Sequence, residues 1–332
     1  MKFPTLFWTL VAFLAAAVSA AAQTGVSITQ LDDRLRVEID GKLFTEYYFK
    51  NVPKPFFYPI IAPGDAPITR NFPMKKVDGE MQDHPHHRAL FYGHGSVNGI
   101  DFWSETPKKS GTTVHEGFDE VKSGPQTGII RSRNKLVTLD GKTIATDERT
   151  MRIHKTPHGP MIDFEITHHA SHGDLTFNDT KEGTLAIRLA EGLVQKSPPP
   201  RTKDKKGPAA PARASTGHIV NSEGVRDGET WGKRAKWVDY FGKVDGKTVG
   251  VAIFDNPKNP RYPSWWHVRD YGLFAINPFG VHDFERLENP AAGDLKVPAG
   301  KSVTFKNRFF FHSGDEKAAR VAERFAEYAA GK

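Results

Sequence analysis

Three Asp-Gly pairs, each set between runs of alternating apolar and polar residues, constrain the fold of this chain most strongly. They stand at positions 40–41, 140–141 and 245–246. In the run before the first pair, positions 34–39, apolar and charged residues alternate with a period of two. An Asp-Gly pair between such runs predicts a tight β-hairpin. The pairs follow no fixed period, so they indicate no internal repeat.

Strand-like segments continue through the rest of the chain, including 161–168 and 302–311. A parallel α/β fold would need amphipathic helices between the strands, and the sequence lacks them. The exception is the C-terminus, where residues 313 and 316 fit a capping box and residues 318–328 carry an apolar helical stripe. We therefore expect an all-β fold, a large β-sandwich, with one C-terminal helix packed on a sheet edge.

The N-terminus has the order of a cleaved signal peptide. Lys2 precedes an apolar run at 6–18, and small residues follow at 19–22. The apolar run is shorter than the roughly 20 residues that a bilayer-spanning helix needs. We therefore expect residues 1–22 to be removed and the protein to be periplasmic or secreted, with no membrane span afterwards.

The remaining residues, 23–332, are predicted to form a single β-sandwich domain. The stretch 197–215 is rich in Pro, Lys and Ala. Because such a segment cannot bury enough apolar surface to offset its ordering entropy, we expect a disordered insertion. Most of the formal net charge of +7 lies in this stretch rather than in a basic stripe with interleaved aromatics. Nucleic acid is therefore not an expected partner.

The composition and the missing motifs exclude several classes of enzyme. The chain has no cysteine, which excludes thiolate nucleophiles and metal sites bound by Cys. It also lacks the G-x-S-x-G elbow, the G-x-G-x-x-G fingerprint and the P-loop. A serine hydrolase of the α/β type, a nicotinamide enzyme and a P-loop nucleotidase are therefore not supported.

Four of the fourteen histidines lie between Asp83 and His94. Imidazole transfers protons near neutral pH and is also the commonest metal ligand. The predicted catalytic residues of this segment are His84, His86, His87 and His94, and its predicted substrate-binding residues are Arg88, Asn98, Asp101 and Trp103. The alternative is that these side chains hold a long loop in place by hydrogen bonds. Their spacing specifies no metal, so no cofactor is assigned and a divalent metal stays open.

A second candidate segment, 265–280, combines aromatic residues with His, Arg and Asn. Aromatic rings cover the apolar faces of sugars, and polar groups bind the hydroxyls. Since His267, Arg269 and Tyr271 alternate, one sheet face can present all three. His267 is a predicted catalytic residue, and the predicted substrate-binding residues are Trp266, Arg269, Tyr271 and Asn277. The alternative is a hydrophobic core that contains a hydrogen-bonded histidine.

A third candidate pair is Lys181 and Glu182, which follow Asp179 and precede Arg188. We expect the pair to bind substrate or to act in acid–base or electrostatic roles. A charged turn on the surface is the alternative interpretation of the same residues.

Four strings in order along the chain carry a resemblance to a known family. They are DHPHHRALFYGHGSVNGIDFW, DTKEGTLAIRLAE, GKRAKWVDYFG and WHVRDYGLFAINPFG. Together they resemble an exported bacterial family labelled "methane oxygenase PmoA-like", a domain of unknown function. The resemblance implies a sandwich of the galactose mutarotase-like type and favours sugar chemistry. The oxidation of methane by a membrane-embedded enzyme does not follow, because no membrane span is expected.

These observations favour an exported enzyme that acts on a sugar or oligosaccharide by histidine-based acid–base chemistry. Epimerisation, β-elimination and hydrolysis are all open, since each needs a positioned acid or base. The alternatives are a noncatalytic glycan-binding module and a His-ligated, metal-dependent oxygenase, as the family label suggests. If the segments 83–94 and 266–271 line one pocket, they form one site.

Overall fold

The computed structural model describes residues 24–195 and 215–331. The predicted signal peptide lies outside these residues, and so does the predicted insertion 197–215 apart from Ser215. The boundaries of a single domain over 23–332 therefore stay a prediction. Among the described residues no helix is long and apolar enough to cross a membrane.

Strands dominate the described chain, in agreement with the period-two pattern. In chain order they are β1 (Val26–Gln30), β2 (Arg34–Ile39), β3 (Lys42–Tyr48), β4 (Phe56–Ala62), β5 (Ala66–Pro67), β6 (Leu90–His94), β7 (Thr112–Lys122), β8 (Thr127–Val137), β9 (Thr143–His154), β10 (Met161–His169), β11 (Leu175–Phe177), β12 (Gly183–Arg188), β13 (His218–Asn221), β14 (Trp237–Val244), β15 (Lys247–Asp255), β16 (Trp265–Val268), β17 (Leu273–Asn277), β18 (Leu295–Val297) and β19 (Ser302–Ser313). The helices are α1 (Val281–Glu285) and α2 (Val321–Ala329), with 3-10 turns at Glu191–Leu193 and Asp227–Thr230.

The three predicted hairpins form, and their turns show why. At 40–41 and at 245–246 both residues adopt positive φ, with Asp40 at 51° and Gly41 at 74°. Positive φ at both positions is the type I′ turn, whose twist matches that of the flanking strands. At 138–142 the loop is longer, and Thr138 closes it by hydrogen bonds with Lys142.

Two large antiparallel sheets face each other. The first sheet has the order β1-β2-β3-β4-β6-β12-β17-β16, with β5 added on β4, and the second has the order β13-β14-β15-β19-β10-β9-β8-β7. A continuous apolar core fills the space between the sheets. The all-β sandwich with a C-terminal helix is therefore confirmed.

Each sheet also buries part of its outer face. On the second sheet, α2 covers the outer face with Val321 and Phe325, and the Phe325 ring lies 5.7 Å from that of Phe254. The expected packing of this helix on a sheet edge is therefore wrong. The expected capping box is wrong as well: Ser313 belongs to β19, and Asp315 instead accepts hydrogen bonds from the backbone that precedes the helix.

The outer face of the first sheet carries a smaller apolar cluster, which includes Phe56, Phe91 and Trp103. This outer face is the surface that collects most of the predicted site residues. The loops 71–89 and 100–111, which flank β6 in the chain, lie against it.

Candidate functional site

A row of side chains crosses the outer face of the first sheet. Strand pairing aligns Phe91 with Ala186, Ala186 with Ala275, and Ala275 with His267. Neighbouring strands lie about 4.8 Å apart, so Phe91 and His267 are separated by roughly 14 Å. Because the two alanines between them are small, they leave room above the sheet, and Trp103 and Tyr271 pack into it.

Asp83 holds one end of this surface together. Its carboxylate accepts hydrogen bonds from Arg70, from Arg188 at 3.0 Å and from Nδ1 of His84 at 2.7 Å. Both arginine side chains are 1% exposed. Burial acts to raise the pKa of Asp83, but the His84 hydrogen bond and the charges of Arg188 and Arg70 outweigh it and hold that pKa well below its ordinary value.

Next to this carboxylate, three rings stack. The His84 ring is parallel to that of His87 at 4.8 Å and to that of Tyr271 at 5.3 Å. The Arg188 guanidinium lies over Tyr271, 4.7 Å from the ring centroid. The two predicted segments, 83–94 and 266–271, therefore meet at one place through His84 and Tyr271.

Hydrogen bonding determines the tautomer of His87. The Arg188 guanidinium can only donate, so Nδ1 of His87 accepts its hydrogen bond at 3.3 Å. Burial, with the charge of Arg188 second, lowers the pKa of His87 well below its ordinary value. His87 is therefore a neutral ring with its proton on Nε2.

His86 is half-buried between His87 and Trp103. Burial and then the charge of Lys54 lower its pKa to about 3. No hydrogen bond joins its ring to another residue in the part of the chain that the structure describes. The His86 ring is therefore neutral at pH 7, and its nitrogens remain open to a ligand.

His267 is held from one side. Its Nδ1 donates a hydrogen bond to the backbone carbonyl of Lys181 at 2.6 Å, which leaves a lone pair on Nε2. Burial lowers its pKa to about 4, and the charges of Arg269 and Lys181 act in the same direction, against the Lys181 hydrogen bond. The Trp231 ring stands at right angles to it at 6.3 Å.

Arg269 lies near two rings, with its guanidinium carbon 5.7 Å from the centroids of both Trp231 and Tyr271. Its guanidinium has no hydrogen bond or ion pair with any residue in 24–195 or 215–331. Nε1 of Trp231 is likewise buried without a partner among those residues. Arg269 is a cation that two aromatic rings hold in place and whose donors are unused.

Lys181 and Glu182 form the remaining wall. The Lys181 ammonium lies 3.9 Å from Glu182 and 3.9 Å from Asp283. Burial raises the pKa of Glu182, and the Lys181 charge opposes it only in part. Glu182 follows Lys181, whose backbone carbonyl accepts the His267 hydrogen bond, and the charges of His84 and Asp283 also act on it.

Several predicted substrate-binding residues have structural roles instead. Nε of Arg88 donates to both carboxylate oxygens of Glu105, at 2.9 and 2.8 Å. Asp101 accepts hydrogen bonds from the backbone of Trp103 at 2.6 Å and of Ser104 at 2.9 Å. It thereby positions Trp103, whose ring is fully buried beside His87.

The amides of Asn98 and Asn277 are also occupied by backbone groups. Asn98 exchanges hydrogen bonds with the backbone of Asp174 and of Thr176, which lies in β11. Asn277 donates to the carbonyl of Thr180 at 2.9 Å and accepts from the backbone of Phe279. Backbone groups therefore hold both amides in place.

Two predicted site residues lie inside the sandwich, away from the outer face. Trp266 is fully buried in the core between the sheets, and its Nε1 donates to the carbonyl of Ala235 at 3.0 Å. Nε2 of His94 donates to the carbonyl of Asn178 at 2.7 Å, and burial lowers its pKa to about 4. The expectation that Trp266 stacks on a ligand does not fit this placement. Nor does a catalytic role for His94 in the same site.

The residues of this surface that were not predicted to belong to it include Arg70, Arg188 and Trp231. Arg188 ends the apolar strand β12, and a charged residue in such a strand was the available signal. Trp231 lies in the loop before β14 and precedes a glycine.

In the described part of the chain, no group of three or more His, Asp or Glu side chains is arranged to hold a metal ion. The free nitrogens of His86 and of His267 stand on opposite sides of the surface, since His86 contacts His87 above Phe91 and His267 ends the row.

A family model matches residues 34–326, and it describes a "Family of unknown function (DUF6807)". The chain belongs to this family. The expected membership of a "methane oxygenase PmoA-like" family is therefore wrong, because the matching model carries no such label. The oxygenase alternative, which depended on that label, loses its support. A search of curated proteins gave no match.

Similar solved structures include a heparan sulfate lyase from Pedobacter heparinus, with 7% identity and a TM-score of 0.38 over 88% of this chain and 36% of the lyase. The chain thus spans about a third of that enzyme. A putative aldose 1-epimerase from Escherichia coli K12 has 8% identity and a TM-score of 0.37, over 87% of this chain and all of its own.

A galactose mutarotase related enzyme from Lactobacillus acidophilus has 11% identity and a TM-score of 0.28, over 87% of this chain and 97% of its own. The expected sandwich type thus appears among the similar structures. These TM-scores lie below 0.5, so the likenesses carry no argument about what this chain does.

Proposed function

We propose that the protein is an exported carbohydrate-active enzyme whose site is the outer face of the first sheet. The observation that carries the proposal is the arrangement around His267. This ring is neutral, is fixed through Nδ1, and keeps a free lone pair on Nε2 beside Trp231. The residue that follows its hydrogen-bond partner is Glu182, whose pKa is raised.

A base and an acid with pKa values moved in opposite directions are what proton transfer at a sugar requires. Glu182 retains its proton to a higher pH than an ordinary glutamate, so it is suited to donate one. His267 is unprotonated at pH 7 and can accept one. Its pKa of about 4 makes it a weak base in the free protein, and a negative charge bound nearby would strengthen it.

The rings on this face supply a stacking surface. Tyr271 is half-buried and held from several sides by His84, Arg188 and Arg269. A fixed aromatic ring suits the apolar face of a pyranose. The same surface also serves a noncatalytic glycan-binding module, for which Tyr271 replaces Trp266 as the expected stacking residue.

The test begins with a panel of mono- and oligosaccharides, screened by thermal shift and by product analysis. We expect Glu182→Gln and His267→Ala to lower kcat by about 10²- to 10⁴-fold, the range that a general acid or base contributes. Because Glu182 acts as the acid, activity should fall as the pH rises through its raised pKa, and Glu182→Gln should lose this limb. His172→Ala is the matched control, since His172 is exposed on the loop after β10.

A screen in which no sugar shifts the melting temperature would contradict the proposal. Binding without turnover, abolished by Tyr271→Ala and unchanged by His267→Ala, would favour the noncatalytic module instead. Turnover that survives both Glu182→Gln and His267→Ala would remove the acid–base assignment.

A further inference from the structure

The arginines on the outer face of the first sheet differ in whether they have a carboxylate partner. Arg188 donates to Asp83, and Arg88 forms its ion pair with Glu105. Arg269 lies on the same face and makes neither kind of contact with a described residue. A guanidinium whose donors stay unused beside a ligand surface is a ready partner for an anion.

The geometry of Arg269 favours a flat anion. The rings of Trp231 and Tyr271 stand at equal distances from its guanidinium carbon, 5.7 Å each. Contact with two rings limits the rotation of the guanidinium, which favours a defined direction for its N–H donors. A carboxylate matches such an edge with two parallel hydrogen bonds.

Lys181 adds a second positive charge nearby. Its side chain is 42% exposed, and its ammonium stands 3.9 Å from each of two carboxylates, longer than a hydrogen bond. Arg269 and Lys181 both lie near enough to His267 for their charges to act on its pKa. Two positive charges therefore act on His267, opposed by the negative charge of Asp283.

We propose that the sugar bound at this face carries a carboxylate, as a hexuronate unit does, and that Arg269 binds this carboxylate beside His267. The inference rests on the proposed function and narrows its substrate class to acidic sugars. A bound carboxylate would also explain how His267, a weak base in the free protein, becomes stronger. A bound carboxylate offsets the charges of Arg269 and Lys181, which raises the proton affinity of His267 when substrate is present.

Matched pairs of ligands test the proposal, such as galacturonate oligomers and their methyl esters, or glucuronate and glucose oligomers. Binding is measured by calorimetry at low and at high salt. We expect the wild type to prefer the acid member of at least one pair and to lose that preference as salt rises. Arg269→Gln should weaken binding of the acid about 10- to 100-fold and leave the neutral member unchanged.

Arg234→Gln is the matched control, because Arg234 also stacks on a tryptophan, Trp265 at 4.5 Å, but is exposed and donates to backbone carbonyls. It should leave binding unchanged. Arg269→Lys keeps the charge and loses the two-pronged geometry, so it should recover part of the affinity. This variant also separates a lost contact from a folding defect.

The outcomes distinguish the two proposals. If neutral sugars bind as tightly as acidic ones and Arg269→Gln has no effect, the carboxylate inference is wrong while the proposed function stands. If no sugar of either kind binds, both are wrong.

Discussion

The carboxylate of Asp83 is the point at which the candidate site and the stability of the fold meet. It accepts hydrogen bonds from Arg70 and Arg188, whose side chains are 1% exposed. The substitution Asp83→Asn keeps the size of the side chain and removes its charge. Two buried guanidinium groups would then share no counter-charge at this position.

The expected loss of folding free energy follows from the burial of the two arginines. Removing one partner of a buried ion pair costs about 3–5 kcal/mol. Asp83 itself is 28% exposed, so water screens part of the loss and we expect the lower end, about 3 kcal/mol. For a chain of this size that corresponds to a fall in melting temperature of roughly 6 °C.

The stability that Asp83 contributes changes with pH in a defined direction. The pKa of Asp83 is lowered in the folded protein. Its contribution to stability is therefore present above the ordinary carboxyl pKa, about 4, and is lost as the pH falls through the folded pKa. The difference between wild type and Asp83→Asn should be full at pH 7 and should shrink in acid.

The assay is urea denaturation at pH 7 and at a series of lower pH values, with Asp65→Asn as control. Asp65 pairs with Lys42 at 3.2 Å, but both side chains are at least 70% exposed, so this variant should unfold close to wild type. An Asp83→Asn protein no less stable than Asp65→Asn would refute the reasoning. So would a difference that does not change with pH.

Two further predictions concern residues away from the site. Trp266→Phe should lower the free energy of unfolding by about 2 kcal/mol, because it opens a void in the core and removes the hydrogen bond to the Ala235 carbonyl. It should leave sugar affinity unchanged. Weaker sugar binding by a stable variant would contradict the placement of Trp266 in the core. Burial acts to lower the pKa of His312, but the charge and hydrogen bond of Asp239 outweigh it and raise that pKa. The stability of the wild type should therefore decline as the pH rises from about 6.5, the ordinary histidine pKa, through the raised pKa of His312, whereas denaturation of His312→Gln over the same pH series should lack this decline.

Much of the fold was accessible from the sequence because its hairpins are local. Asp40-Gly41 and Asp245-Gly246 adopt the positive φ values that their residue types favour, and the turns then align the flanking strands. The order of strands within each sheet was not accessible. β6 pairs with β12 across about ninety residues, a pairing that depends on how the whole core packs.

The site was only partly predictable for the same reason. Alternation places His267 and Trp266 on opposite faces of β16, so both could not reach one ligand. Because residues on both faces of this strand are buried, the pattern did not show which face lines the site. The sequence left open whether the two candidate segments meet, and in the structure the rings of His84 and Tyr271 stack on each other.

The most direct test of the central claim is a crystal structure of Glu182→Gln with a sugar from the screen bound. We predict a sugar ring stacked on Tyr271, with a hydroxyl or a ring C–H directed at Nε2 of His267 and a carboxylate on Arg269. A sugar seated elsewhere on the molecule, with the outer face of the first sheet empty, would contradict the account.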